Sequence, residues 1–309
     1  VAARSSHLLA ALSLLASAGS EAHAFSALRP EDDAKTQSQF QKTAVIDEDG
    51  RMTEEEYARK KGIPLTEVQN RFAATGVLKC AKHSASGQLT GSDNTITTVA
   101  HIFVGMGCNA KNTPRNCSFT AKFRDREQTS EISELVGMGF KCPIRPKRQN
   151  DWAVLKLKSP MRGITPYTLP YPDEDVKDRD DVISVAASGR DFDRADPRTG
   201  KKVFTKSIEE CQGRQPYYED GFEVLFLSNC DSSPGSSGGS ILRARKRYDV
   251  LMGITANNNE TDTQIAQAAK RGTPNHGPYV EGKWATYQVP LSGEFLQLLE
   301  TAIGGRPPL

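Results

Sequence analysis

Cys230-Asp231-Ser232-Ser233-Pro234-Gly235-Ser236-Ser237-Gly238-Gly239-Ser240 is the stretch that organises the reading of this chain. Glycines flank Ser237 on both sides. They let the backbone turn sharply and let a carbonyl group come close to the hydroxyl. A nucleophilic serine needs both. The backbone N–H groups of Gly235 and Ser237 can converge on the oxyanion formed when such a serine attacks. A plain Gly/Ser loop has the same composition, so the reading depends on partners elsewhere in the chain.

A base is found largely by elimination. The chain has five histidines, His7, His23, His83, His101 and His276. The first two belong to an expected leader, and His83 sits in a polar loop before Gly87. His101 ends the β-like run Thr98-Val99-Ala100-His101, where it would be held rigidly. A general base must be so held to stay within reach of the hydroxyl. The acid is Asp151, at the mouth of Asp151-Trp152-Ala153-Val154-Leu155. A carboxylate there can hydrogen-bond an imidazole and fix its tautomer. The order His, Asp, Ser matches one of the common triad scaffolds and not the others.

Gly235-Ser236-Ser237-Gly238-Gly239 also satisfies Gly-x-Ser-x-Gly, the nucleophile elbow of α/β-hydrolases. That fold wants a helix after the serine, then the acid, then the histidine. Here Ser240-Ile241-Leu242 and a second β-like run follow, and His276 lies in a loop-like segment. The elbow reading is set aside.

From about Gly76 to Ile303 the chain resembles a chymotrypsin-fold (trypsin-like) serine peptidase. Thr98-Val99-Ala100-His101 is similar to the family's Thr-Ala-Ala-His, with Val99 for the first Ala. The nucleophile segment is similar to secreted bacterial members, including the glutamyl-endopeptidase group, which often show Cys-Asp-Thr before Pro-Gly-x-Ser-Gly. The resemblance implies an all-β fold of two six-stranded antiparallel β-barrels. His101 and Asp151 would come from the first and Ser237 from the second. Ser236 stands where animal digestive members carry an Asp that pairs with a newly cut N-terminus. No Ile-Val-Gly-Gly start precedes Gly76, so the oxyanion hole of Gly235 and Ser237 is expected to form without N-terminal insertion. Asp231 matches the position that selects Lys or Arg substrates in trypsin, although bacterial relatives share an Asp there without that preference. In the glutamyl group a histidine often follows a Gly-Ile pair. Here Thr255 follows Gly253-Ile254, which weakens a Glu preference. Asp231 and Thr255 are the candidate substrate-binding residues.

The periodicity agrees with an all-β class. Val77–Cys80, Thr95–Val99, Trp152–Leu157, Asp181–Val185, Phe222–Leu227, Ser240–Leu242, Val250–Ile254 and Tyr287–Leu291 are short apolar or β-branched runs between polar turns. Gly293–Ile303 has the apolar spacing of a closing helix. Arg243-Ala244-Arg245-Lys246-Arg247 reads as a solvated hairpin tip, and the basic residues around Pro146 as solvated surface.

Residues 1–24 read as a signal peptide. Arg4 precedes the apolar Leu8–Ala18, and Ala22-His23-Ala24 fits a cleavage site. No later segment is long and apolar enough to anchor in a membrane, so a secreted or periplasmic protein is expected. Its oxidising surroundings suit the six cysteines, Cys80, Cys108, Cys117, Cys142, Cys211 and Cys230. Cys211 with Cys230 is the expected first bridge and Cys108 with Cys117 a local second candidate. Lys+Arg total 40 against Asp+Glu 38, a balance that argues against a nucleic-acid binder, which usually carries a concentrated positive field.

Residues 25–75 form an expected N-terminal appendage, ahead of a peptidase domain at 76–309. Residues 25–44 are polar with few apolar anchors. Asp47-Glu48-Asp49-Gly50 through Glu56 resembles a degenerate EF-hand calcium loop, with Asp47 and Asp49 at the third and fifth positions and Glu56 at the twelfth. Val45 takes the first position and has no side-chain oxygen. The favoured alternative is a helix start, with Thr53 and Glu56 as a capping box. Short helices are expected over Thr53–Lys61 and Thr66–Ala74, broken by Gly62-Ile63-Pro64.

The expected protein is therefore a monomeric serine endopeptidase that acts on proteins or peptides through a covalent acyl-enzyme. It needs no cofactor and no metal and contacts no nucleic acid. The rival readings are an inactive peptidase-fold binding protein, a calcium-responsive protein acting through residues 45–75, and a zymogen covered by residues 25–75.

Overall fold

The computed structural model describes residues 45–305, apart from Lys82, Met106, Asp125, Arg145, Pro234 and the segments 188–193, 196–201, 204, 220–221, 259–275 and 281–283. The expected leader and the polar stretch 25–44 lie outside the described residues.

The described chain opens with β1 (Val45–Ile46), α1 (Glu54–Lys61) and α2 (Leu65–Arg71). A closed barrel follows: β2 (Thr75–Cys80), β3 (Ser84–Leu89), β4 (Thr95–Thr98), β5 (Cys117–Phe123), β6 (Arg126–Met138) and β7 (Ala153–Leu157). Next come β8 (Asp181–Ala186) and a small antiparallel pair, β9 (Arg194–Ala195) with β10 (Lys202–Val203). β11 (Ser207–Glu219), β12 (Phe222–Ser228), β13 (Ser240–Ala244) and β14 (Asp249–Asn258) continue the chain. β15 (His276–Gly277) pairs in parallel with β1. β16 (Thr286–Pro290) and α3 (Gly293–Ala302) close it. The barrels run β2-β3-β4-β7-β6-β5 and β11-β12-β16-β14-β13-β8. The expected fold class, two six-stranded antiparallel barrels with a closing helix and a helical N-terminal appendage, is the observed one.

Each barrel is filled from within. Leu78, Leu89, Ile96, Phe119 and Leu155 are fully buried in the first, and Ile254, Leu227 and Leu242 in the second. α3 lays Phe295 flat on Trp152, with ring centroids 4.9 Å apart. A buried polar chain joins the barrels: Thr75 Oγ1 bonds Tyr167 OH at 2.8 Å and Ser240 Oγ at 2.7 Å, and Ser240 Oγ donates to Gln88 Oε1 at 3.1 Å.

Three disulfides take all six cysteines. Cys211–Cys230 forms as expected. The local pair Cys108–Cys117 does not form. Cys117 opens β5 directly opposite Cys80 in the β2–β5 register and bridges it. Cys108 bridges Cys142 instead, tying the loop after His101 to the loop before Asp151.

α1 begins at the capping box anticipated for Thr53 and Glu56. Thr53 Oγ1 accepts from Glu56 N at 3.1 Å, and Glu56 Oε2 accepts from Thr53 N at 2.8 Å. Gly62, at φ 65°, ends it. The two other carboxylates at ligand positions of the calcium-like run, Asp47 and Asp49, also have protein donors. Asp47 accepts from Tyr279 N at 3.1 Å and Asn229 Nδ2 at 3.3 Å, and Asp49 pairs with Arg51. Among the described residues no cluster of His, Cys, Asp and Glu has the arrangement of a metal site, and no helix is long and apolar enough to cross a membrane. The Arg243–Arg247 tip is solvated as expected from Ala244 onward. Half-buried Arg243 pairs with Glu174 and Asp180, and the exposed Arg245 also reaches Glu174.

Charge fastens the appendage to the second barrel. Arg71 holds Asp249 with two hydrogen bonds of 2.7 Å. Lys206, its side chain 1% exposed, donates to Glu54 Oε1 at 3.1 Å and to Lys122 O at 3.3 Å. Burial pulls the Lys206 pKa down, while the charge and hydrogen bond of Glu54 oppose that pull. Glu54→Ala leaves this ammonium buried without its counter-ion. It should cost about 3–5 kcal/mol of stability in denaturant titration, and adding Lys206→Met should recover part of the loss.

Candidate active site

The β4–β7 register brings the imidazole and the carboxylate together. Thr98 pairs with Ala153 at one end of this antiparallel ladder. Three residues beyond Thr98 and two before Ala153 the chain reaches His101 and Asp151, off the same barrel end. β4 stops at Thr98, and His101 sits in a short 3₁₀ turn, Ala100–Ile102, rather than ending the strand as expected. Val99, Ala100 and Ile102 are buried and anchor that turn. Asp151 grips His101 twice. Its Oδ1 accepts from the His101 backbone N–H at 2.8 Å, and its Oδ2 lies 2.6 Å from Nδ1. The imidazole stays one-third exposed while the Asp151 side chain is nearly buried. Burial disfavours imidazolium, but the charge and hydrogen bond of Asp151 outweigh it, and the His101 pKa lies above its ordinary 6.5. Lys111 pulls weakly the other way.

Ser237 lies between β12 and β13 on a turn bounded by Gly235 at φ 99° and Gly238 at φ 82°. A Cβ on Gly238 would stand 2.2 Å from Ser86 O and 2.6 Å from Thr98 Oγ1. Only glycine allows this approach to the first barrel. Ser237 O accepts from Ser86 N at 2.8 Å, and Gly238 N donates to Thr255 O at 2.6 Å. Ser237 Oγ donates to Ala256 O at 3.4 Å. Its backbone N–H has no acceptor among the described residues. Ser236 is buried and satisfied within the loop: its Oγ donates to Ser233 O at 2.6 Å and accepts from Ser233 N at 2.9 Å. The loop is thus held with no ion pair at this position.

Thr255 is buried on β14 beside the Ser237 turn, and its backbone clamps that turn from the second barrel through Gly238 N and Gly239 O. Asp231 faces elsewhere. It is 5% exposed, and its two carboxylate oxygens accept from Ile46 N at 2.6 Å and Gly50 N at 2.9 Å. Residues 45–50 therefore form a strap whose backbone occupies the carboxylate read from the sequence as a substrate contact. Glu209 lies beneath the same strap and accepts from Asp231 N at 2.7 Å. Burial lifts the Asp231 pKa to about 7, although the two strap N–H groups and Arg51 oppose the rise. Burial and the neighbouring Asp231 charge also raise Glu209 well above the usual carboxylate range. Sequence reasoning missed Glu209 and Ser86. Ser86 had one signal, the small-residue run Ser84-Ala85-Ser86-Gly87, which marks a strand another backbone can approach closely.

Two six-stranded barrels with a His–Asp pair on the first and a glycine-bounded serine turn on the second define a chymotrypsin-like fold. Residues 66–270 match the family described as Trypsin. That is more than half of the chain, and the chain belongs to the trypsin family. Among solved structures it is similar to a Glu endopeptidase determined in complex with MPD, at 15% identity and a TM-score of 0.56, covering 84% of this chain and 100% of that one. It is also similar to the scabies mite inactivated protease paralogue S-D1, at 11% identity and a TM-score of 0.51, covering 78% and 97%. These likenesses show the fold. No curated protein matches the chain.

The buried Asp231 carries a pH dependence. Its pKa is higher in the folded protein than its ordinary 3.8, so its contribution to stability is fully present below 3.8 and is lost as pH rises through about 7. The free energy of unfolding in denaturant should fall across that window. Asp231→Asn, which cannot titrate, should flatten the dependence.

Proposed function

We propose that the protein is a serine endopeptidase that hydrolyses peptide bonds through His101, Asp151 and Ser237. The observation that carries this reading is the double grip of Asp151 on His101, at the barrel end where Ser86 receives the carbonyl of Ser237. In the proposed cycle, Ser237 Oγ turns from Ala256 O toward His101 Nε2 and attacks the scissile carbonyl carbon. Nε2 takes the hydroxyl proton while Asp151 keeps Nδ1–H oriented and stabilises the imidazolium. The N–H groups of Gly235 and Ser237 hold the oxyanion. As the tetrahedral intermediate collapses, the C–N bond breaks and His101 gives its proton to the leaving amine. Water then attacks the acyl-enzyme with His101 again as base, and Ser237 is regenerated. No step calls for a cofactor. Proteins or peptides are the proposed substrates. With all six cysteines bridged, the proposed setting is secreted or periplasmic.

The competing reading is an inactive peptidase-fold binding protein. It is favoured by the Ser237 hydroxyl resting on Ala256 O. A fluorophosphonate probe separates the two. The wild-type protein should be labelled and Ser237→Ala should not, whereas an unlabelled wild type means the inactive form. Because the His101 pKa is raised, its neutral, basic form dominates only at higher pH. The rising limb of kcat/KM against pH should therefore have its midpoint above 6.5. Asp151→Asn should lower kcat by about 10⁴-fold through loss of the correct tautomer.

A further inference from the structure

We propose that Ser86 is a positioning residue that sets the oxyanion site from the opposite barrel, an inference that rests on the peptidase reading above. Ser86 lies on β3, wholly buried, and it commits every polar group it has. Its N–H donates to Ser237 O at 2.8 Å. Its Oγ donates to Gly235 O at 3.0 Å and accepts from Ala187 N, just past β8, at 2.9 Å. Its own carbonyl accepts from Thr98 Oγ1 at 2.7 Å, three residues before His101. One side chain and its backbone thus touch the carbonyls of both residues whose N–H groups would hold the oxyanion, together with the segment that carries the base.

A peptide group is planar, so fixing its carbonyl fixes the following N–H. The peptide of Gly235 and Ser236 is pinned at both ends, by Ser86 Oγ on Gly235 O and by Ser236 N donating to Ser233 O at 2.9 Å. The peptide of Ser237 and Gly238 is pinned likewise, by Ser86 N on Ser237 O and by Gly238 N on Thr255 O. Between them, the peptide of Ser236 and Ser237 has its carbonyl bonded to Gly239 N at 2.7 Å and its N–H without an acceptor among the described residues. The loop therefore presents the Ser237 N–H as a pre-aimed donor. Its weak point is Gly235, which at φ 99° has no side chain to hinder rotation. The Ser86 hydroxyl is what holds that carbonyl in the first barrel. A pre-aimed donor needs no reorganisation as negative charge develops, and its benefit appears in the transition state rather than in substrate binding.

The test compares Ser86→Ala, Ser86→Thr and Thr90→Ala with the wild type and with Ser237→Ala. Peptide hydrolysis, fluorophosphonate labelling rate and thermal stability are read on each full-length protein. Thr90→Ala removes another buried hydroxyl of the first barrel, bonded to Thr97 Oγ1 at 2.9 Å, and serves as the stability control. Ser86→Ala should lower kcat by about 10²-fold. Its KM should stay within about threefold and the pH limb set by His101 should not move. Labelling should slow in parallel, because the probe also develops an oxyanion. Ser86→Thr, which keeps the hydroxyl, should restore most of kcat. The proposal is overturned if Ser86→Ala keeps kcat within about twofold of the wild type. It is also overturned if Thr90→Ala, at an equal loss of thermal stability, loses as much kcat, or if the Ser86→Ala defect lies in KM. A wild type that labels while Ser86→Ala labels equally fast sinks this inference alone. A wild type that neither labels nor cleaves sinks the peptidase reading with it.

Discussion

The two closed barrels meet backbone to backbone at the serine turn, and Gly238 makes that contact possible. A methyl group there would overlap the Ser86 carbonyl at 2.2 Å. With hydrogen in its place, Ser237 O reaches Ser86 N and the serine turn rests against β3 and β4. The end of β4 leads directly into the turn that holds His101. The positions of hydroxyl and imidazole are therefore coupled through a few short hydrogen bonds rather than through a long lever. The polar chain of Thr75, Ser240 and Gln88 stiffens the same junction from inside. Buried polar networks of this kind specify one relative placement of the parts they join, because any other leaves groups unpaired.

The appendage obeys a different logic. Its attachment to the second barrel uses charge and backbone donors: Lys206 on Glu54, Asp249 on Arg71, and Asp231 on the N–H groups of Ile46 and Gly50. The acidic run from Asp47 to Glu56 has the look of a cation loop in one dimension. In three, Asp47, Asp49, Glu54 and Glu56 are directed to separate protein donors. Ser236 completes the contrast. Where animal relatives use an ion pair at this position, a hydroxyl closes on Ser233 within the loop, and the buried acid sits at Asp231 beneath the strap.

The strands easiest to foresee were the β-branched β4 and the apolar β7, β8 and β14, whose Thr, Val, Ile and Leu residues reflect burial in the barrel cores. β6 was obscure because only Ser130 and Ile132 are buried along Arg126–Met138, the rest being exposed or half-buried, so no clean apolar alternation marks it. β3 was obscure because small residues replace the expected branched ones. The disulfides divide the same way. Cys211–Cys230 spans a recognisable strand pair, whereas Cys80–Cys117 depends on a β2–β5 register that no local pattern encodes.

The amino-acid sequence by itself determined the chemical identities: a glycine-bounded serine, a histidine after a β-branched run, an aspartate before an apolar one, and their order. Those are local properties, written in residue type and spacing. Tertiary structure alone decided which groups meet. The β4–β7 register set Asp151 on His101, and the missing Cβ of Gly238 admitted Ser86 to the carbonyls of the serine turn. The strap took Asp231 for itself. Each of these is a contact between residues far apart in the chain, fixed by pairing register and close packing, and local sequence can mark a surface that allows close approach but not the partner that makes it.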